Sequence, residues 1–161
     1  MLFRSLYMTR DLHGEKDNGW TCPYPAPGET LPPGTVGVHG DGTDLAIISY
    51  ANGYYLSRQA ETLLAELGVR ARVIDLRWLA PLAEDALIAA ITGCAHVLIV
   101  DECRITGSQS EALSALIGER TGRVPARLAA EDSFIATGPA AAATLPSRDG
   151  IVAAALKLVR E

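Results

Sequence analysis

From residue 36 onward, short apolar runs alternate with stretches in which apolar residues recur every three to four positions. A run of four to six apolar residues is too short for a buried helix and reads as a strand covered on both faces. The wider spacing places apolar side chains along one face of a helix. The runs fall at 36–39, 45–50, 71–75, 97–100 and 124–129. Gly40-Asp41-Gly42 after the first is a turn signal, and so short a connection predicts a hairpin-like antiparallel relation to the second run. Helical spacing follows in Leu56, Ala60, Leu63, Leu64 and Leu67, after a break at Ala51-Asn52-Gly53 and before a stop at Gly68. It returns over 84–91, with Glu84 and Asp85 in the first turn, then in Ala112, Leu113, Leu116 and Ile117. Ser108 and Glu111 have the spacing of a capping box for that third helix. Pro139 suits the first position of a single helical turn, and 146–149 cap a last helix bearing Ile151, Val152, Ala155, Leu156 and Val159. The alternation predicts a three-layer α/β/α sandwich on a mixed five-stranded sheet, mostly parallel with one antiparallel edge strand.

Residues 1–34 break this rhythm. Pro23, Pro25, Pro27, Pro32 and Pro33 fix φ and remove backbone donors, so neither helix nor sheet propagates through them. The expectation is an extended arm or interdomain linker over 1–34, followed by one domain over 35–161. Trp20, Tyr24 and Leu31 are expected to lie against protein, either this domain or a neighbour.

The run at 97–100 ends in Asp101 and Glu102, with Arg104 beyond them. In open α/β sheets, ligands and partners gather at the carboxyl ends of strands, which makes these three residues candidates for function. Trp78, in the loop after the 71–75 strand, is either a lid on the sheet or an interface anchor. We read Trp78, Asp101, Glu102 and Arg104 as a candidate partner interface. The competing reading of the two acids is that they solvate a strand end and cap nearby backbone donors. Asp75 and Arg77 read as an ion pair holding their loop, and Cys94 and Cys103 as buried or half-buried thiols.

Composition narrows the chemistry. With 161 residues, 48% of them hydrophobic and 20% charged, the chain is globular and sized for one core. A net charge of −5 supplies no basic stripe, so nucleic acid is not an expected partner. No apolar run is long enough to span a bilayer, and Met1-Leu2-Phe3-Arg4-Ser5 lacks the apolar core of a secretory signal. Three dispersed cysteines and three dispersed histidines form neither a disulfide framework nor a metal cluster, and a cytoplasmic setting is expected. Dinucleotide, phosphate-loop and nucleophile-elbow signatures are absent.

The order of landmarks is more specific than any one of them. Gly42-Thr43-Asp44-Leu45 leads into Ile47-Ile48-Ser49-Tyr50, Val73-Ile74-Asp75-Leu76-Arg77 precedes Pro81-Leu82, and Val100-Asp101-Glu102 precedes Gly107 and Glu111. Asp132, Gly138-Pro139-Ala140 and Pro146-Ser147 complete the series. Together they resemble the C-terminal domain of the transketolase-like thiamine diphosphate enzymes. They are most similar to the beta subunit, or fused equivalent, of the decarboxylating component of 2-oxo acid dehydrogenases acting on pyruvate or a branched-chain 2-oxo acid. Leu6-Tyr7 and Pro25-Ala26-Pro27-Gly28 are similar to the segment that joins the family's pyrimidine-binding domain to this one. Ala83, where an acidic helix cap is usual, and Ile105 and Ser108, in a turn that is commonly R-x-G-G, depart from the pattern.

The resemblance implies a non-catalytic domain with no catalytic, cofactor-binding or metal residues of its own. Thiamine diphosphate and magnesium would belong to the parent enzyme, held between pyrimidine- and diphosphate-binding domains that this sequence does not contain. The implied partners are those two domains, a dimer mate and the acyltransferase component. A domain separated from such neighbours is expected to self-associate or to fold its arm over the exposed surface. Two alternatives stand beside this reading. One is the C-terminal domain of transketolase or a related synthase. The other is a free-standing flavodoxin-like or receiver-like module whose Asp101-Glu102 pair holds magnesium, although Arg127 and Glu131 stand where a receiver's lysine would be.

Overall fold

The computed structural model describes residues 6–136 and 138–160, so the signal-region expectation at 1–5 and Thr137 lie outside the described residues. The elements are β1 (Gly37–His39), β2 (Leu45–Ser49), α1 (Ala51–Glu66), β3 (Ala71–Asp75), α2 (Glu84–Ile91), β4 (His96–Arg104), α3 (Gln109–Thr121), β5 (Ala126–Ala130) and α4 (Arg148–Arg160). A short 3-10 segment, Gly138–Ala143, precedes α4. The five strands lie in the order β1-β3-β2-β4-β5, parallel except for β1.

Strand alternation divides the core into two layers. Ala46, Ile48, Ile74, Val97 and Ile99 face α2 and α3, where Leu87, Ile91, Leu113 and Ile117 close the packing. Leu45, Ile47, Ala71, Leu98 and Val100 point the other way, onto Ala60 and Leu64 of α1 and Ile151 and Ala155 of α4. With both faces covered, the sheet is the middle of the three-layer α/β/α sandwich that the sequence predicts.

Three local expectations are corrected. β1 is an antiparallel edge, but it pairs with β3 and not with β2. The connection at 40–44 does not turn back as a hairpin; it crosses the start of β3, where the Asp44 N–H donates to the Arg70 carbonyl and the Arg70 N–H to Asp44 Oδ2. Gly42 is required there, since a Cβ would lie 2.4 Å from the backbone of Arg70 and Ala71. Secondly, the strand ends before Ala51-Asn52-Gly53 as expected, but these three residues already belong to α1, which begins at Ala51 and not after them. Thirdly, β4 does not end at Val100. It continues to Arg104 because β5 pairs beyond a bulge, opposing Asp101 to Ala129 and Arg104 to Ala130.

The helix stop at Gly68 falls as expected, and Gly122 ends α3 in the same way, both glycines at positive φ. Ser147 caps α4, its hydroxyl accepting from the Gly150 N–H at 3.0 Å. The arm divides in two. Trp20 packs on α1 against Tyr54 and Tyr55, whereas Tyr24 and Leu31 are exposed rather than seated on this domain.

Candidate functional site

The carboxyl ends of β2, β3 and β4 form one edge of the sheet, and four of the polar groups there are held by one another. Asp101, 1% exposed, is the centre. Its Oδ1 accepts from the Tyr50 hydroxyl at 2.7 Å and from the Cys103 N–H at 2.9 Å. Its Oδ2 accepts from the Ser110 N–H at 2.9 Å, in the first turn of α3. A carboxylate so placed satisfies an otherwise orphaned helix donor and meets the positive end of the helix dipole. Asp101 therefore does for α3 what Ser108 was expected to do. Ser108 makes no side-chain cap; its hydroxyl pairs with Ser110 Oγ at 2.7 Å, and Glu111 reaches back to the Gly107 N–H.

A second tie crosses the same edge. Asn52 Nδ2 donates to Glu102 Oε1 at 2.5 Å, and the Ser49 hydroxyl donates to the Val100 carbonyl at 2.8 Å. The Ser49 bond joins β2 to β4, and the Asn52 bond depends on the start of α1 lying almost on the strand ends. Gly53 makes this approach feasible, since a Cβ there would stand 2.3 Å from Ser49 Oγ. Burial pushes the Glu102 carboxyl above its usual range, against the pull of the Asn52 hydrogen bond. Burial also raises the Tyr50 phenol, reinforced by its hydrogen bond to Asp101, so the phenol remains a donor. Asp75 is raised by burial as well, with Arg77 opposing at 4.0 Å in the expected ion pair.

The remaining candidates lie apart from this network. Arg104, at the end of β4, lines an open groove of 360 Å³ with Thr106, Asp132, Ser133 and Phe134. An adjoining hollow adds Cys103, Gly107 and Ile135. Phe134 is fully exposed, and Ile105 and Ile135 are about half exposed. Cys103 is exposed, which corrects the expectation of a buried thiol; Cys94 is buried as expected. Trp78 is half-buried on the neighbouring loop, with its indole Nε1 enclosed and without a hydrogen-bond partner.

Sequence reasoning missed Tyr50, Ser49, Asn52 and Ser110. The available signal was a hydroxyl-bearing pair, Ser49-Tyr50, at the end of a strand with no other polar residue. Phe134 gave no signal, because one aromatic between polar residues has no period.

The arrangement suits structure better than chemistry. Every Asp101 oxygen meets N–H or O–H donors, the surroundings of an anion and not of a cation ligand. Among the described residues, no three His, Cys, Asp or Glu side chains are grouped to hold a metal ion. This donor set does not fit a magnesium diphosphate, so no step through thiamine diphosphate is assigned to these residues.

A family profile described as the transketolase C-terminal domain matches residues 34–151. The chain belongs to the transketolase C-terminal domain family. It is 30% identical over 137 residues to 1-deoxy-D-xylulose-5-phosphate synthase of Halothermothrix orenii, covering 82% of this chain and 22% of that protein. Two of the Bacillus subtilis relatives are dehydrogenase subunits. The 2-oxoisovalerate dehydrogenase subunit beta is 35% identical over 95 residues, covering 59% of this chain and 29% of that subunit. The pyruvate dehydrogenase E1 component subunit beta is 29% identical over 134 residues, covering 81% and 41%. In each case this transketolase C-terminal domain chain spans less than half of the relative's length. Among solved structures, a split-gene transketolase described as an inactive beta4 tetramer superposes with a TM-score of 0.73 at 21% identity, covering 84% of this chain and 44% of that one. That likeness concerns the fold.

Proposed function

We propose that this chain is the non-catalytic C-terminal domain of a thiamine diphosphate-dependent 2-oxo acid dehydrogenase. The parent would decarboxylate pyruvate or a branched-chain 2-oxo acid and pass the acyl group to a lipoyl carrier. The observation that carries the non-catalytic part is the edge where α/β domains usually act. There Asp101, Tyr50, Ser110 and the Asn52–Glu102 pair are satisfied by each other. A general acid or base needs a free lone pair or proton facing a pocket. The open surface beside it, with Arg104, Ile105, Phe134 and Ile135, has the mixed apolar and cationic character of a contact face.

In this reading residues 1–34 are the arm from a preceding domain and 35–161 the assembly domain. Trp78, Glu102 and Arg104 border the contact surface, with Asp101 bracing it from within. Its partners are the pyrimidine- and diphosphate-binding domains, a dimer mate and the acyltransferase component, in the cytoplasm. Thiamine diphosphate and magnesium enter through those other domains. The dehydrogenase beta subunits among the relatives favour this assignment. The 30% identity to a 1-deoxy-D-xylulose-5-phosphate synthase favours a second reading, the corresponding domain of a synthase.

The test is reconstitution. The chain is co-expressed with the thiamine-binding polypeptides encoded beside it, and the purified assembly is assayed for acyl transfer to lipoyl from pyruvate and branched-chain 2-oxo acids. Activity that depends on the chain supports the dehydrogenase. Formation of 1-deoxy-D-xylulose 5-phosphate, or activity unaffected by omitting the chain, overturns it.

A further inference from the structure

The arm is built from two unlike pieces. Residues 11–20 form a loop that organises itself around two carboxylates. Asp17 accepts from the N–H groups of Leu12, His13, Gly14 and Gly19 at 2.6–2.9 Å. Asp11 accepts from those of Lys16 and Asn18 at 2.8 and 2.9 Å. The Trp20 N–H closes the loop on the Arg10 carbonyl. This module is seated on α1. Leu12 is 2% exposed, and Trp20 lies edge-on to Tyr55 with ring centroids 4.9 Å apart. The Tyr55 hydroxyl donates to the Asp11 carbonyl at 2.9 Å, and Gln59 Nε2 donates to the Leu12 carbonyl at 2.6 Å.

Residues 21–34 are the opposite case. Every one of them is exposed, and five are prolines. Their hydrogen bonds are local: Glu29 N–H donates to the Ala26 carbonyl, Thr21 N–H to the Asn18 carbonyl, and the Thr35 hydroxyl to the Pro32 carbonyl. A well-formed plug thus hangs from the domain by a tether that makes no buried contact with it. The tether turns at 26–29 and again at 32–35, with Gly28 and Gly34 at positive φ; fully opened, its proline-rich backbone would reach about 3.1 Å per residue, or roughly 40 Å for fourteen residues.

We propose that residues 11–20 are an exchangeable docking module, and that α1 of one copy of this chain accepts the module of a second copy to form a reciprocal dimer. The contacts with Tyr54, Tyr55 and Gln59 are identical whether the module comes from the same chain or another. Exchange changes only the tether, and the tether has no buried contacts to lose. Closure within one chain is favoured by the module's effective concentration near its own α1, of the order of millimolar for a short linker. The exchange involves α1 and not the β4–β5 surface, so it stands or falls independently of the function proposed above.

Two chains with complementary defects test this directly. Trp20→Ala with Leu12→Ala disables the module and leaves α1 intact, while Tyr55→Ala disables the α1 seat and leaves the module intact. Light scattering is expected to find the unaltered chain monomeric at about 10 µM and increasingly dimeric towards about 1 mM. Each variant alone is expected to stay monomeric, and their mixture to form a one-to-one complex. A mixture without complex, or variants that dimerise as the unaltered chain does, overturns the proposal. A second measurement needs no substitution. In a mixed-isotope sample at the dimer-populating concentration, intermolecular NOEs between Trp20 and Tyr55 are expected; their absence overturns it equally.

Discussion

Replacing Asp101 tests the interior of the strand-end network. Asp101→Ala leaves the buried N–H of Ser110, and the part-buried Cys103 N–H and Tyr50 hydroxyl, without their acceptor. Each unpaired buried donor costs about 1–3 kcal/mol, and loss of the anion at the start of α3 adds about 0.3–1 kcal/mol. Relief from burying a charge offsets part of this, as does rotation of the phenol, so the net destabilisation is about 3–5 kcal/mol. Asp101→Asn keeps one acceptor oxygen but turns an amide N–H towards one of the donors, and the expected loss is about 2 kcal/mol. For a domain of this size, 1 kcal/mol is about 2–4 °C in melting temperature, so Asp101→Ala should melt roughly 10 °C lower. Urea unfolding followed by circular dichroism reads the difference, provided the slope is unchanged. If both variants stay within about 0.5 kcal/mol of the unaltered chain, the network does not brace the site and the reasoning fails.

Other expectations follow from the same edge. Ala51 stands at φ 48°, a left-handed conformation that favours glycine, so Ala51→Gly should stabilise by about 0.5–1 kcal/mol; a loss in urea unfolding would contradict this. Gly53→Ala drives a methyl into Ser49 Oγ and should cost about 2–4 kcal/mol, with part recovered in the Gly53→Ala/Ser49→Ala double variant. Purely additive losses would place the strain elsewhere. Burial raises the Glu102 carboxyl, so the folded state holds that proton more tightly than the unfolded chain does. Its contribution is fully present below the ordinary glutamate value and is lost as pH rises through the folded value. Glu102→Gln should therefore match the unaltered chain in acid and exceed it at neutral pH. A variant less stable at neutral pH would refute the burial argument.

The layers were legible because burial on both faces leaves unbroken apolar runs, and the glycines at 68 and 122 mark helix ends by backbone geometry alone. What escaped depends on contacts distant in sequence. A polar connection at 40–44 looks like a hairpin until the 71–75 strand occupies the place between its flanks. Asp101 and Glu102 look like the end of a strand because charge is usually solvated. In the fold Asp101 is enclosed by Tyr50 and by the first turn of α3, and β5 carries the pairing on to Arg104. The choice between surface contact and backbone capping was open for Asp101 in sequence; its three donors put it inside as a cap. Trp20 was expected to seat on protein and does, on α1, whereas Tyr24 in the same arm is not seated on this domain.

We propose that this domain contributes assembly and that the chemistry belongs to its neighbours. Isothermal titration of the chain with thiamine diphosphate and magnesium addresses it most directly. The account predicts no saturable heat up to about 1 mM ligand, a concentration corresponding to only about 4 kcal/mol of binding. Saturable binding in the micromolar range would contradict it.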